Sequence, residues 1–188
     1  MLSEAKIGII GGSGLSGMKG IVDAEELDVE TPFGPTSDRI TIGSLADTKV
    51  AFLPRHGRGH RFSPTDIPVR ANIFALKKIG VERILSVSAV GSLREDVQPL
   101  DMVVPDQLID RTRRRVSTFF EGSIVAHVSF SDPYCPVLRQ ELERAAQGQS
   151  VKLHMGGTYV VMEGPQFSTR AESNLYRSWG ASVIGMTA

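Results

Sequence analysis

Short apolar runs closed by glycine alternate along this chain with amphipathic stretches. Lys6 to Ile10 contains the run Ile7-Gly8-Ile9-Ile10, ended by the glycines after it, which predicts a short buried strand. Arg39 to Ile42 and Val50 to Leu53 are further β-like runs, separated by a turn around Leu45 to Thr48. Between Ser63 and Ile79, the spacing of Ala71, Phe74, Ala75 and Ile79 predicts a helix that starts near Ile67 or Pro68 and stops at Gly80. Arg83 to Ser88 and Met102 to Pro105 read as strands, the first of them buried. No period holds from Thr112 to Asp132, which reads as a long irregular excursion. Val137 to Ala146 is helical on the spacing of Val137, Leu138, Leu142 and Ala145. Thr158 to Met162 is β-like, Arg170 to Trp179 helical, and Ser182 to Met186 a further strand.

Strands alternating with helices predict an α/β sandwich around a mostly parallel or mixed sheet, with right-handed crossovers. At 188 residues the chain suits one domain with a real hydrophobic core, and no repeat or low-complexity linker divides it. Ala188 comes directly after a strand, where such folds usually continue into a covering helix. A bare sheet face is an aggregation liability, so the expectation is a covering partner or a fragment.

Composition narrows the class. Hydrophobic residues make up 41% and charged residues 22%, ordinary for a globular protein, and Lys+Arg and Asp+Glu both count 21. A balanced charge gives no reason to expect nucleic acid as a partner. The basic run of Arg111, Arg113, Arg114 and Arg115 reads as a solvated loop or a subunit contact. Cys135 is the single cysteine, which excludes an internal disulfide and a cysteine-based zinc cluster. Ile7 to Ile10 is far too short to span a membrane and lacks the layout of a signal peptide, so the expected location is the cytoplasm, away from membranes.

The candidate chemistry sits at strand ends. Gly12, Gly14 and Gly17 spell the dinucleotide fingerprint after a strand, but the stretch from Lys19 to Pro32 is short, polar and interrupted. A strand-end turn whose amides and Ser13 hydroxyl face an anion ranks above nicotinamide binding, and a ligand-free turn is the bland alternative. In Arg55-His56-Gly57-Arg58-Gly59-His60, the glycines and Pro54 oppose a helix, so the i,i+4 histidines do not suggest a metal pair. Arg55 offers a planar fork for phosphate oxygens, and His56 a further hydrogen bond. Ser88-Ala89-Val90-Gly91-Ser92 lies at another strand end, where ligands of open α/β sheets gather. Together GGSGL, RHGRGH and SAVGS predict a phosphate-binding site. Glu163-Gly164-Pro165-Gln166-Phe167-Ser168 combines a carboxylate, a bend and an aromatic ring, a wall suited to a heterocycle and its sugar. Core packing for Phe167 and an ion pair for Glu163 remain the bland readings. Met186-Thr187 forms a fifth strand end.

These segments, with TPFGPTSD, GSLRE, DQLIDRT and EGPQFSTRAES, resemble the trimeric purine nucleoside phosphorylase family from Lys6 to Ala188. The resemblance implies a three-layer α/β/α sandwich around a twisted mixed β-sheet, incomplete at the C-terminus, with residues 1–188 forming a single partial domain. It implies phosphate contacts at Ser13, Arg55, His56, Ser88, Ala89 and Thr187. Met186 would pack on ribose and base, and Phe167 would stack on the base. His127 would enter a neighbouring subunit's 5′ pocket in a homotrimer. Ser168 stands where branches acting on 6-oxopurines carry Glu. An unpaired carboxylate facing adenine would be penalised, so Ser168 implies the methylthioadenosine branch, with methylthioinosine the alternative.

The implied reaction is phosphorolysis of an N-glycosidic bond through an oxocarbenium-like transition state. Phosphate is a co-substrate and the nucleophile, so no metal or organic cofactor is expected. The family's proton donor to N7 is an Asp on the loop after the next strand, past Ala188, so the general acid is expected to be absent from this chain. That leaves a fragment of an enzyme, or a shortened, non-catalytic subunit that binds nucleoside or phosphate.

Overall fold

The computed structural model describes residues 5–12, 15 and 20–187. Ser13, Gly14, Gly17 and Ala188 lie outside the described residues. The described residues divide into two compact units, one running as far as Ala89 and the other Val90–Thr187.

The first unit holds β1 (Ile7–Gly11), β2 (Val22–Leu27), β3 (Ile40–Leu45), β4 (Thr48–Pro54), α1 (Val69–Lys78) and β5 (Arg83–Val87). They form a mixed sheet in the order β2-β3-β4-β1-β5. β1 runs parallel to both neighbours, and Gly11 is in register with Pro54 on one side and Val87 on the other. Three strand ends are therefore level, and the loops after them start from one edge of the sheet. β1 and β4 are nearly continuous apolar runs because both faces are covered.

Helix α1 buries Ala71, Asn72, Ala75 and Leu76, and Ala75 and Leu76 join a core with Ile40, Ile42, Ala51, Leu53 and Ile79. Phe74, expected in the core, is half-buried and meets Phe33 edge-on at 5.8 Å. Gly80 ends the helical run at φ +94, a left-handed conformation that glycine adopts without a Cβ clash.

The second unit holds β6 (Gly91–Ser92), β7 (Met102–Val104), β8 (Gln107–Asp110), α2 (Pro136–Ala146), β9 (Leu153–Met155), β10 (Thr158–Val161), α3 (Arg170–Ser178) and β11 (Ala181–Gly185). One sheet runs β6-β11-β10-β8, and β7 pairs with β9 separately. Here β10 is parallel to β8 and β11, with Val161 in register with Asp110 and Gly185, so a second set of strand ends is level. Thr169 and Glu172 form a reciprocal capping box at the start of α3.

The expected mixed α/β architecture is present, with its strands hydrogen-bonded as three sheets. Residues 111–135 contain no helix or strand, matching the expected excursion. Two burial expectations need correction. β5 is an edge strand, and Ser86 and Val87 are exposed. Helix α2 buries none of its residues: Val137 is 59% exposed, and the element packs chiefly against short β9.

Candidate functional site

In the first unit the glycine turn, the RHGRGH loop and the end of β5 meet. Leu15 N–H donates to the Gly12 carbonyl at 3.0 Å, closing the turn after β1, and Arg55 N–H donates to Gly11 O at 3.0 Å. The Arg55 side chain then passes over Gly12, just after β1, to the end of β5. Its guanidinium donates to Val87 O at 2.9 Å and to Ser88 Oγ at 2.8 Å, and the residue is only 6% exposed. A Cβ on Gly12 would collide with Arg55 Nη2 and lie 2.6 Å from its Cζ, so glycine at position 12 is what lets the guanidinium lie there. Arg55 thus links two of the predicted phosphate segments. Ser88 Oγ accepts here, a role its lone pairs allow alongside the single hydrogen that a hydroxyl carries. Ala89 comes next, at the surface. Ser13 lies outside the described residues.

His56 is buried beside Arg55, with Nδ1 3.0 Å from the Phe62 carbonyl. A carbonyl only accepts, so Nδ1 carries the hydrogen. The ring stacks on His60 with centroids 4.3 Å apart and planes 11° apart. Burial pushes the imidazole pKa below its ordinary value. The Phe62 carbonyl opposes that shift, while the charges of Arg55 and His60 add to it. The expected donation from His56 is therefore already given to Phe62.

The TPFGPTSD motif, to which sequence reasoning gave no role of its own, braces this loop. Buried Ser37 donates through Oγ to Pro54 O at 2.9 Å and through its N–H to Asn72 Oδ1 at 2.8 Å. Arg61 donates to Ser37 O at 3.0 Å, and Arg58 N–H donates to Asp38 Oδ2 at 2.5 Å. The chain at either side of His56 is tied to β4 and α1 before any ligand arrives.

No helix is described directly after the glycine turn. The next described element is β2, antiparallel to β3, so the described residues do not supply the strand–helix context that a dinucleotide fingerprint needs.

The second unit contains a pocket of about 340 Å³ lined by Arg111, Arg113, Arg114, Glu163, Phe167 and Ser168 among others. Glu163 organises it. Its Oε2 accepts the backbone N–H of Arg113 at 2.6 Å and of Arg114 at 3.1 Å, and Oε1 lies 3.5 Å from Arg115 Nε. Arg115 donates to Met186 O at 2.5 Å, Glu163 O at 2.9 Å and Met162 O at 3.4 Å. The arginine run is thus more than a solvated loop, because Arg115 is largely buried and ties the ends of β10 and β11 together. No local pattern marks it, since its partners are carbonyls 47 to 71 residues away.

Phe167 is 81% exposed at the pocket wall, and Ser168 Oγ sits 2.9 Å from Ser173 Oγ. Gly164, at φ +73, allows Met186 to approach: a Cβ there would meet Sδ at 2.6 Å. Met186 packs on the apolar cluster of Val160, Met162 and Tyr176 and is not among the pocket-lining residues. Thr187 accepts the Tyr159 hydroxyl through its carbonyl at 3.0 Å. His127 lies in the exposed excursion, away from any described pocket residue in sequence. Among the described residues, no group of three or more His, Cys, Asp or Glu side chains is placed to hold a metal ion, and no helix is long and apolar enough to cross a membrane.

Parallel strands ending level beneath polar loops, in mixed sheets with helices, give an α/β fold of the nucleoside phosphorylase kind. Residues 6–188 match the model of the Phosphorylase superfamily, and the chain belongs to that family. It is 60% identical over 184 residues to S-methyl-5′-thioadenosine phosphorylase of Koribacter versatilis, covering 98% of this chain and 63% of that relative. A crystal structure of a methylthioadenosine phosphorylase from an antarctic soil metagenomic library superposes with a TM-score of 0.91 at 53% identity, over 98% of this chain and 66% of that one. Methylthioadenosine phosphorylase from Schistosoma mansoni, in complex with adenine, gives a TM-score of 0.93 at 36% identity, over 98% and 74%. The chain spans less than two thirds of the length of several curated relatives that it matches.

Proposed function

We propose that this chain serves phosphorolysis of S-methyl-5′-thioadenosine to adenine and 5-methylthioribose 1-phosphate, a step of purine and methionine salvage. The observation that supports it best is the Arg55 guanidinium joined to Ser88 over Gly12, a donor cluster at level strand ends. Relatives 60% identical over nearly the whole chain bear the name of that activity.

In this reading Arg55, His56, Ser88 and the Ala89 amide, with Ser13 and Thr187, hold the phosphate. Phosphate attacks the anomeric carbon as the C–N bond to the purine breaks. The bonding pair leaves with the base, which takes up a proton from water or from a donor other than the residues named here, and positive charge developing on the sugar faces the bound anion. Preorganised donors then lower the barrier by positioning and electrostatics. The phosphate is the nucleophile, so the reaction needs neither metal nor organic cofactor. Phe167 stacks on the base, Met186 packs against the ribose, and Ser168 reads the base edge as one that can both donate and accept.

The reading includes a homotrimer in which His127 reaches a neighbour's 5′ pocket. Phe119, Phe120, Ile124, Val125, Val128 and Phe130 are exposed along that excursion, an apolar strip suited to a second copy. We place the reaction in the cytoplasm; recovery of the protein in a membrane fraction would overturn that placement.

The deciding experiment tracks adenine release from methylthioadenosine with and without phosphate, on material sized by sedimentation. Release that requires phosphate, from a species of three chains, is the expected result. Phosphate-independent release would mean hydrolysis, and ligand binding with no release would mean a binding subunit. Faster cleavage of methylthioinosine would move the base preference to 6-oxopurines.

A further inference from the structure

The hydrogen bonds around His56 fix which lone pair it can offer to a ligand. Nδ1–H is held by the Phe62 carbonyl, and Phe62 N–H returns to His56 O at 3.1 Å, so ring and backbone are locked together. Stacking on His60 fixes the ring plane. Nε2 is left, and it makes no hydrogen bond among the described residues. In the neutral ring Nε2 is an acceptor only. The charged groups facing the ring are Arg55 and His60, and both disfavour a second proton.

We propose that His56 meets phosphate as a hydrogen-bond acceptor, and so selects protonated oxyanions such as phosphate over unprotonated ones such as sulfate. The inference deepens the phosphate reading above and rests on it. At neutral pH and above, phosphate retains one O–H, which donates to Nε2, while Arg55 and the hydroxyl donors satisfy its other oxygens. Sulfate has the same shape and charge but no hydrogen to give. Its oxygen would face the Nε2 lone pair, and one contact would turn from attraction to repulsion.

Calorimetric titration of the full 188-residue chain with phosphate and with sulfate tests this. At about pH 8 phosphate should bind about tenfold or more tightly than sulfate. Sulfate stays a dianion on acidification, so its own pH profile reports the protein. Its affinity should rise as the pH falls through the lowered His56 pKa, where Nε2 gains a hydrogen and becomes a donor.

His60→Asn removes the neighbouring imidazole, and Asn tolerates the positive φ at that position; the rise should persist. His56→Gln can turn either end of its amide to the anion, so the two affinities should converge to within about threefold. Equal affinities at about pH 8 in the unaltered chain, or sulfate binding that does not change with pH, would overturn the inference while leaving the phosphate reading in place. Failure of both anions to bind would overturn the phosphate reading itself.

Discussion

Gly12 illustrates how a residue without a side chain can set the position of one that has a long one. The Arg55 guanidinium occupies the space a Cβ would take, and the Val87 carbonyl lies 2.9 Å from that point. Gly12→Ala therefore displaces the guanidinium from Val87 O and Ser88 Oγ. Loss of preorganised charge-assisted donors should weaken phosphate binding by about 10- to 100-fold, read as the phosphate Kd. Unchanged affinity would mean that Arg55 does not hold the anion. That the segments of Arg55 and Ser88 would come together was readable from sequence, because glycine-rich loops with donor side chains came after apolar runs. Arg115 was not, since a guanidinium that caps distant carbonyls leaves no local period. The direction of the hydrogen bond expected of His56 was not readable, because it depends on Phe62, six residues on.

Among the elements, the pair β7 and β9 shows a pH-dependent clasp. Asp101, just ahead of β7, accepts the Gln98 N–H at 3.0 Å and lies 2.7 Å from Nε2 of His154 on β9, with Lys152 3.4 Å away. The Gln98 amide first, then His154, holds the Asp101 carboxyl down to about 2. A depressed carboxylate contributes stability above its ordinary range, and that contribution is lost as pH falls through the folded value. Urea midpoints should thus decline between about pH 4 and pH 2 more steeply in the parent chain than in Asp101→Asn. Parallel declines would remove the clasp from the account of acid sensitivity. Elements with clean periods, such as β1, β4 and α1, could be read in advance. β2 could not, because every one of its residues except half-buried Leu27 is exposed at the sheet edge. β6 and β9, of two and three residues, are too short for a period to show.

For the whole molecule, each unit brings three parallel strand ends level and hangs polar loops from them. That common plan explains why motifs far apart in sequence fall into two groups. Arg55, His56, Ser88 and Ala89 belong to the first unit; Phe167, Ser168, Met186 and Thr187 belong to the second. The α/β class was readable from the alternation of runs, whereas division into three sheets rests on strand pairings that periodicity does not encode.

The carboxylate of Glu163 has a consequence for the dynamics of the excursion that precedes α2. This segment contains no helix or strand, and amides of such a segment should exchange their hydrogens for deuterium quickly. Arg113 and Arg114 differ, because both donate to one oxygen fixed at the end of β10. In a residue-resolved exchange experiment these two amides should form a slow island within a fast stretch. They should be released together when Glu163 is replaced by Gln, whose weaker, neutral oxygen no longer holds both.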